Sequence, residues 1–157
     1  MIDLQKIFLI TTFFQIQLFG HCQIPCGIYS DAMQIMQIKE DLRTIDKSMR
    51  QIIELSKKTD AQSINQLNRW ISSKDKHAQN IQKITSEYFL TQRIKENSKS
   101  YSKKVVLLHR LLVSAMKCKQ STDKVNVSNC YSILESFIKL YFDKHGIEHL
   151  NNLREPN

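Results

Sequence analysis

The stretch His21-Cys22-Gln23-Ile24-Pro25-Cys26-Gly27-Ile28-Tyr29 gathers most of the chemically unusual residues of the chain. It holds a His, two of the four Cys, one of the two Pro and one of the three Gly in a 157-residue sequence. Two thiolates separated by three residues meet on one ion when the backbone turns between them. Pro25, by fixing φ, and Gly27, by accepting strained angles, supply that turn. Sulfur beside imidazole suits zinc, copper or nickel, so donor type alone does not choose the metal. No second Cys/His pair stands at a matching distance to complete a zinc tetrahedron. The stretch reads as a metal-binding hook whose shell needs further donors. A thioredoxin-type motif fits less well, because it places two residues between its cysteines and this chain has three.

The order His21-Cys22-x-x-Pro25-Cys26-Gly27-x-Tyr29 resembles the N-terminal nickel hook of the nickel superoxide dismutases. The resemblance implies a leader removed before His21, so that the new α-amine and the imidazole of His21 bind one nickel per subunit. It assigns the backbone amide and thiolate of Cys22 and the thiolate of Cys26 to the same ion. Thiolate and amidate donors lower the nickel potential into the range that superoxide cycling needs. Tyr29 would stand at the mouth of the site, limiting approach. The implied activity is disproportionation of superoxide to oxygen and peroxide by nickel(II)/nickel(III) cycling, and the implied assembly is a homohexamer.

A second point of resemblance lies in Asn65-Gln66-Leu67-Asn68-Arg69-Trp70-Ile71, Lys74, His77-Ala78, Ile81 and Tyr88 to Ile94, which are similar to the second helix of the same family. There are departures. Where the family places an acid on the first helix to accept a hydrogen bond from the axial imidazole, counting from the hook gives Gln37, a neutral acceptor. The acid that often follows the first hook Cys is Gln23 here. Arg69 is a candidate cation near the metal and is read as an exposed helix Arg. His77 is read as a core-edge or surface His rather than a ligand.

Two other readings stay open. Four Cys in an exported chain allow three disulfide pairings, which would make this a small secreted helical binding protein with no metal in use. Alternatively the hook is a non-catalytic module for copper or zinc, since copper(II) favours the same amine-amide plane.

Before the hook, Ile7-Phe8-Leu9-Ile10-Thr11-Thr12-Phe13-Phe14 is an apolar run too short for a bilayer, so no stable membrane insertion is expected. It reads as the core of a secretory signal, with Met1 to Gly20 as leader. Gly20 is a small residue at the last leader position, but Leu18 departs from the small-x-small rule. The expected location is therefore secreted or an organelle lumen, with cytoplasmic release by a dedicated processing protease as the alternative. Lys plus Arg number 23 against 15 Asp plus Glu, a formal charge of +8. No aromatic-interleaved basic patch accompanies that charge, so nucleic acid is not an expected partner. A basic surface does raise the encounter rate with an anionic substrate such as superoxide.

The elements that must carry the hook are helical, and the expected fold is all-α, an antiparallel four-helix bundle over residues 30–146 with a loose tail over 147–157. Ser30 caps a first helix whose apolar seam is Ile35, Ile38, Leu42, Ile45, Met49 and Ile52. Lys39, Glu40, Asp41, Arg43, Asp46, Lys47 and Arg50 fall on its expected wet face. After a polar stretch from Ser56, Ser63 with Gln66 predicts a capping box for a second helix. Its expected seam is Leu67, Trp70, Ile71, Ala78, Ile81, Ile84 and Tyr88. Lys95 to Ser100 is a connector. A third helix carries Tyr101, Val105, Leu108, Leu112 and Ala115, and a polar loop is expected over Ser121 to Asn129. The fourth helix runs from about Cys130 to Lys144, stopped by Gly146. Cys118 and Cys130 flank the loop, as a disulfide in an oxidising compartment or as thiols in cytosol. Asn126-Val127-Ser128 fits a glycosylation acceptor in an exported chain. No Gly-rich phosphate loop, Ser/His/Asp arrangement or catalytic carboxylate pair is present.

Overall fold

A computed structural model describes residues 30–153. Helix α1 (Asp31–Leu55) is followed by α2 (Ala61–Lys83), which continues without a break as π-helix over Ile84–Arg93. Then come α3 (Tyr101–Gln120), α4 (Val125–Tyr141) and a short α5 (Lys144–Asn152). No strand occurs among the described residues. Cross-helix bonds give the directions. Asp41 of α1 meets His77 and Asn80 of α2, while Asp31 meets Tyr88 and Arg93. Lys74 of α2 meets the carbonyls of Cys118 and Lys119, while Gln82 meets that of Leu112. Each neighbour runs opposite to the last, which is the expected antiparallel four-helix bundle, with α5 added against α1.

The predicted seam of α1 is the middle of the core, with Ile35, Ile38, Leu42, Ile45 and Met49 all at 0% exposure. Phe89, Phe137 and Tyr141 close one end, Phe89 meeting Phe137 edge-on at 5.2 Å and Phe137 stacking on Tyr141 at 5.0 Å. Two residues assigned to the wet face of α1 are in fact buried, Lys39 at 6% and Asp41 at 1%. The reason is that α1 is covered by α2, α4 and α5 together, so its buried stripe is wider than one seam. Lys39 survives burial through an ion pair with Glu135 at 2.6 Å.

In the opposite direction, Ile71 is exposed and Leu67 and Trp70 are only partly covered. Lys74 already reaches the last turn of α3, so the part of α2 before it extends past α3 and has α1 as its neighbour. Trp70 is met there by Lys47, whose ammonium lies 5.7 Å from the ring centre.

Several boundaries differ from the sequence reading. The cap of α2 is Asp60, whose carboxylate accepts from the Ser63 amide at 2.9 Å, and Ser63 itself lies inside the helix. α4 begins at Val125, five residues before Cys130, so the Asn126-Val127-Ser128 motif is a helical turn whose Val127 is buried and whose Asn126 carbonyl accepts from Ser114. Gly146 does not stop α4. The break falls at Phe142 and Asp143, and Asp143 caps α5 by accepting from the Gly146 amide at 2.8 Å. The loose tail expected from Ile147 is helical to Asn152 because Leu150, at 1% exposure, buries itself in the core. Gly146 is there for space: a Cβ on it would stand 2.7 Å from the Phe142 ring.

Candidate metal centre

His21, Cys22, Cys26 and Tyr29, together with Gln23, lie outside the described residues. What the structure shows is the platform onto which that stretch leads. Ser30 enters α1 in extended conformation, and Asp31 is the first helical residue. An acid suits the positive end of the helix dipole, but Asp31 does more. Its carboxylate accepts from the Tyr88 hydroxyl at 2.5 Å and the Tyr141 hydroxyl at 2.7 Å, and it takes a two-point contact from Arg93, Nε at 2.7 Å and Nη2 at 2.9 Å. Three parts of the fold thus converge two residues after Tyr29.

The π-helical stretch makes this convergence possible. In π-helix the bonds run between residues five apart, as Ile94 N to Phe89 O does at 2.9 Å. Tyr88 and Arg93 are five apart, a spacing that places side chains on different faces of an α-helix but on one face here. The guanidinium carbon of Arg93 accordingly lies 5.6 Å from the Tyr88 ring centre while both side chains bond to Asp31.

The electrostatics follow from the geometry. Burial works to raise the Asp31 carboxyl, but hydrogen bonds from Arg93, Tyr88 and Tyr141 outweigh it and hold the group below its ordinary 3.8. Burial and the bond to Asp31 push Tyr141 up to about 12 and raise Tyr88 further. The bond to Asp31 raises Arg93 in turn. Near neutral pH the cluster is therefore one carboxylate, one guanidinium and two neutral phenols.

Further along α1, Gln37 is exposed and its amide approaches Asp41 Oδ1 at 3.4 Å. The Asp41 carboxylate accepts from Asn80 Nδ2 at 2.7 Å and lies 2.7 Å from His77 Nδ1. These side chains line an open cleft of about 580 Å³ that reaches Ser86 and Glu87, next to Tyr88. His77 is a core-edge residue held by a carboxylate, as its sequence reading allowed. Arg69 is exposed. The sequence offers Arg93 only within the run from Tyr88 to Ile94 that resembles the family's second helix, gives Asp31 no partner, and places Asp41 on a wet face. An acid in a first helical turn was the one signal for Asp31, and nothing in it names the partners.

Among the described residues no group of three or more His, Cys, Asp or Glu side chains converges to hold a metal ion. Cys118 and Cys130 are buried against each other, 3.9 Å between sulfurs. By chemistry alone, the thiols of Cys22 and Cys26 and the imidazole of His21 are groups that suit nickel.

A family model for nickel-containing superoxide dismutases matches residues 17–145, a span that takes in the hook and all four bundle helices. Comparison with curated proteins and with solved structures returns no match. With the helical bundle in place and the match covering most of the chain, the protein belongs to the nickel-containing superoxide dismutase family and is a nickel-dependent superoxide dismutase.

Proposed function

We propose that the dismutase site of this chain is built by cleavage after Gly20, which frees the α-amine of His21. One nickel per subunit is then held by the amine and imidazole of His21, the amide nitrogen and sulfur of Cys22 and the sulfur of Cys26. The bound metal supplies the one-electron couple for superoxide. The chain's own residues do the rest. Tyr29 stands at the entrance and restricts approach to small anions. Asp31, fixed by Arg93, Tyr88 and Tyr141, ties the root of the hook to α2 and α4. The excess of basic residues draws an anionic substrate in.

The observation that carries this reading is the Asp31 cluster, because a nine-residue hook can be positioned only if the chain leaving it is fixed. We further propose that the leader directs the protein to the exterior or an organelle lumen, where a processing protease exposes His21. Release by a dedicated protease in the cytoplasm is the alternative. The mature chains are proposed to assemble as homohexamers. No described helix is long and apolar enough to cross a membrane.

Native mass spectrometry of the mature protein tests the whole reading. A chain starting at His21, with one nickel per subunit in a six-subunit particle, is the expected result. A different N-terminus, or a His21 chain with its hook thiols oxidised and no metal, would overturn it.

A further inference from the structure

Two nucleophilic groups in the fold have no part in the nickel site. Cys118, in the last turn of α3, and Cys130, in the second turn of α4, are both at 0% exposure, with sulfurs 3.9 Å apart. They touch across the seam of a hairpin whose connection is only residues 121–124. A disulfide needs about 2.05 Å between sulfurs, so the two must approach by roughly 1.9 Å to bond. We infer that Cys118 and Cys130 form a peroxide-reactive dithiol that closes to an intramolecular disulfide, with hydrogen peroxide, the product of the enzyme's own reaction, as oxidant.

The chemistry balances. The Cys130 sulfur attacks one peroxide oxygen, the O–O bond breaks, and the departing oxygen leaves as water, giving a sulfenic acid at Cys130. The Cys118 sulfur then attacks the Cys130 sulfur, the S–O bond breaks, and a second water leaves. Both thiol hydrogens end in water, two electrons pass from sulfur to peroxide, and one S–S bond remains. The order is set by the surroundings. The hydrogen bond that the two sulfurs share raises the Cys118 thiol and lowers that of Cys130, so Cys130 reacts first.

Access is through the end of α3. Helix ends open more readily than helix centres, and Cys118 lies two residues from the last helical residue, Gln120. What holds that turn is Lys74, buried at 4%, whose ammonium caps the Cys118 carbonyl at 3.0 Å and the Lys119 carbonyl, with Asp75 at 2.8 Å as its counter-charge. Lys74 is thus a latch over the dithiol. Once formed, the bridge closes a loop between residues twelve apart and constrains the unfolded chain.

The test uses the full mature chain carrying Cys22→Ser and Cys26→Ser, so that the hook contributes neither metal nor competing thiols. The inference then stands or falls independently of the nickel ligand assignment. After full reduction and removal of reductant, hydrogen peroxide is added and intact mass and linked peptides are read. The expected result is a monomer lighter by two hydrogen atoms, a Cys118–Cys130 linked peptide, and a higher thermal midpoint that reductant reverses. Lys74→Met in the same background should close the bridge faster. Thiols still free after prolonged peroxide, oxygen adducts without a linked peptide, or bridges between chains would each overturn the inference.

Discussion

Asp31 and Tyr141 stand 110 positions apart in the chain, yet the Tyr141 hydroxyl donates to Asp31 Oδ2 at 2.7 Å. The bond joins the first residue of α1 to the last residue of α4, on the side of the bundle from which the hook departs. Asp31→Asn removes the charge that Arg93 and the two phenols share. The expected cost is about 1–3 kcal/mol in denaturant unfolding. The mutant should also lose nickel faster to a chelator, while its circular dichroism stays helical. Wild-type stability together with wild-type nickel retention would contradict the anchoring role.

The same cluster sets two pH limits. Asp31 is held below its ordinary value, so its contribution is present above the usual carboxylate range and is lost as pH falls through the lowered value. Tyr141 is raised to about 12, so its contribution is full below the ordinary 10.0 and lost as pH climbs toward 12. An ultraviolet tyrosinate titration should show three of the five tyrosines ionising late, the two of the cluster together with Tyr131, which burial raises, and the cluster pair should ionise with loss of helix. If all five titrate together at the ordinary value, the cluster is not as described.

Gln37 approaches a buried carboxylate at 3.4 Å, and an acid in its place would repel Asp41. Gln37→Glu should therefore destabilise the protein by roughly 1 kcal/mol at neutral pH, with the penalty shrinking as the pH falls and the new pair takes up a proton. Chemical denaturation at two pH values reads the difference. A penalty that grows in acid would be the wrong sign.

Gly146 is an equally sharp case. In an open helix Ala gains up to about 1 kcal/mol over Gly. Here the added carbon meets the Phe142 ring at 2.7 Å, so Gly146→Ala should instead cost roughly 1–3 kcal/mol. A stabilised variant would mean that Phe142 turns aside freely.

Cys22→Ser or Cys26→Ser should leave the helical bundle intact and abolish both nickel binding and dismutase activity, because serine supplies no soft anionic donor at neutral pH. Metal analysis and circular dichroism on the same sample check this. Full nickel occupancy in either variant would remove that residue from the ligand set.

Where the sequence alone sufficed, the information was local. The motif from His21 to Tyr29 that carries the family resemblance is a matter of nine consecutive residues. The periodicity of Ile35, Ile38, Leu42, Ile45 and Met49 likewise follows from the pitch of one helix, and all five are buried. The connector from Lys95 to Ser100 and the start of α3 at Tyr101 were legible for the same reason.

Tertiary structure decided the rest, because those features depend on what lies against a helix rather than on the helix itself. Asp41 and Lys39 look solvated by composition, yet coverage from α2, α4 and α5 buries them, and partners on two other helices make that tolerable. Ile71 looks like core, yet α2 has outrun α3 at that point. Nothing in Ile84–Arg93 distinguishes a π-helix from an α-helix, since both use the same residues and differ only in which carbonyl each amide reaches. That winding, with the return of α4 to the start of α1, brings Tyr88, Arg93 and Tyr141 to Asp31. The family resemblance was legible in one short stretch of sequence. The Asp31 cluster exists only once the helices have packed.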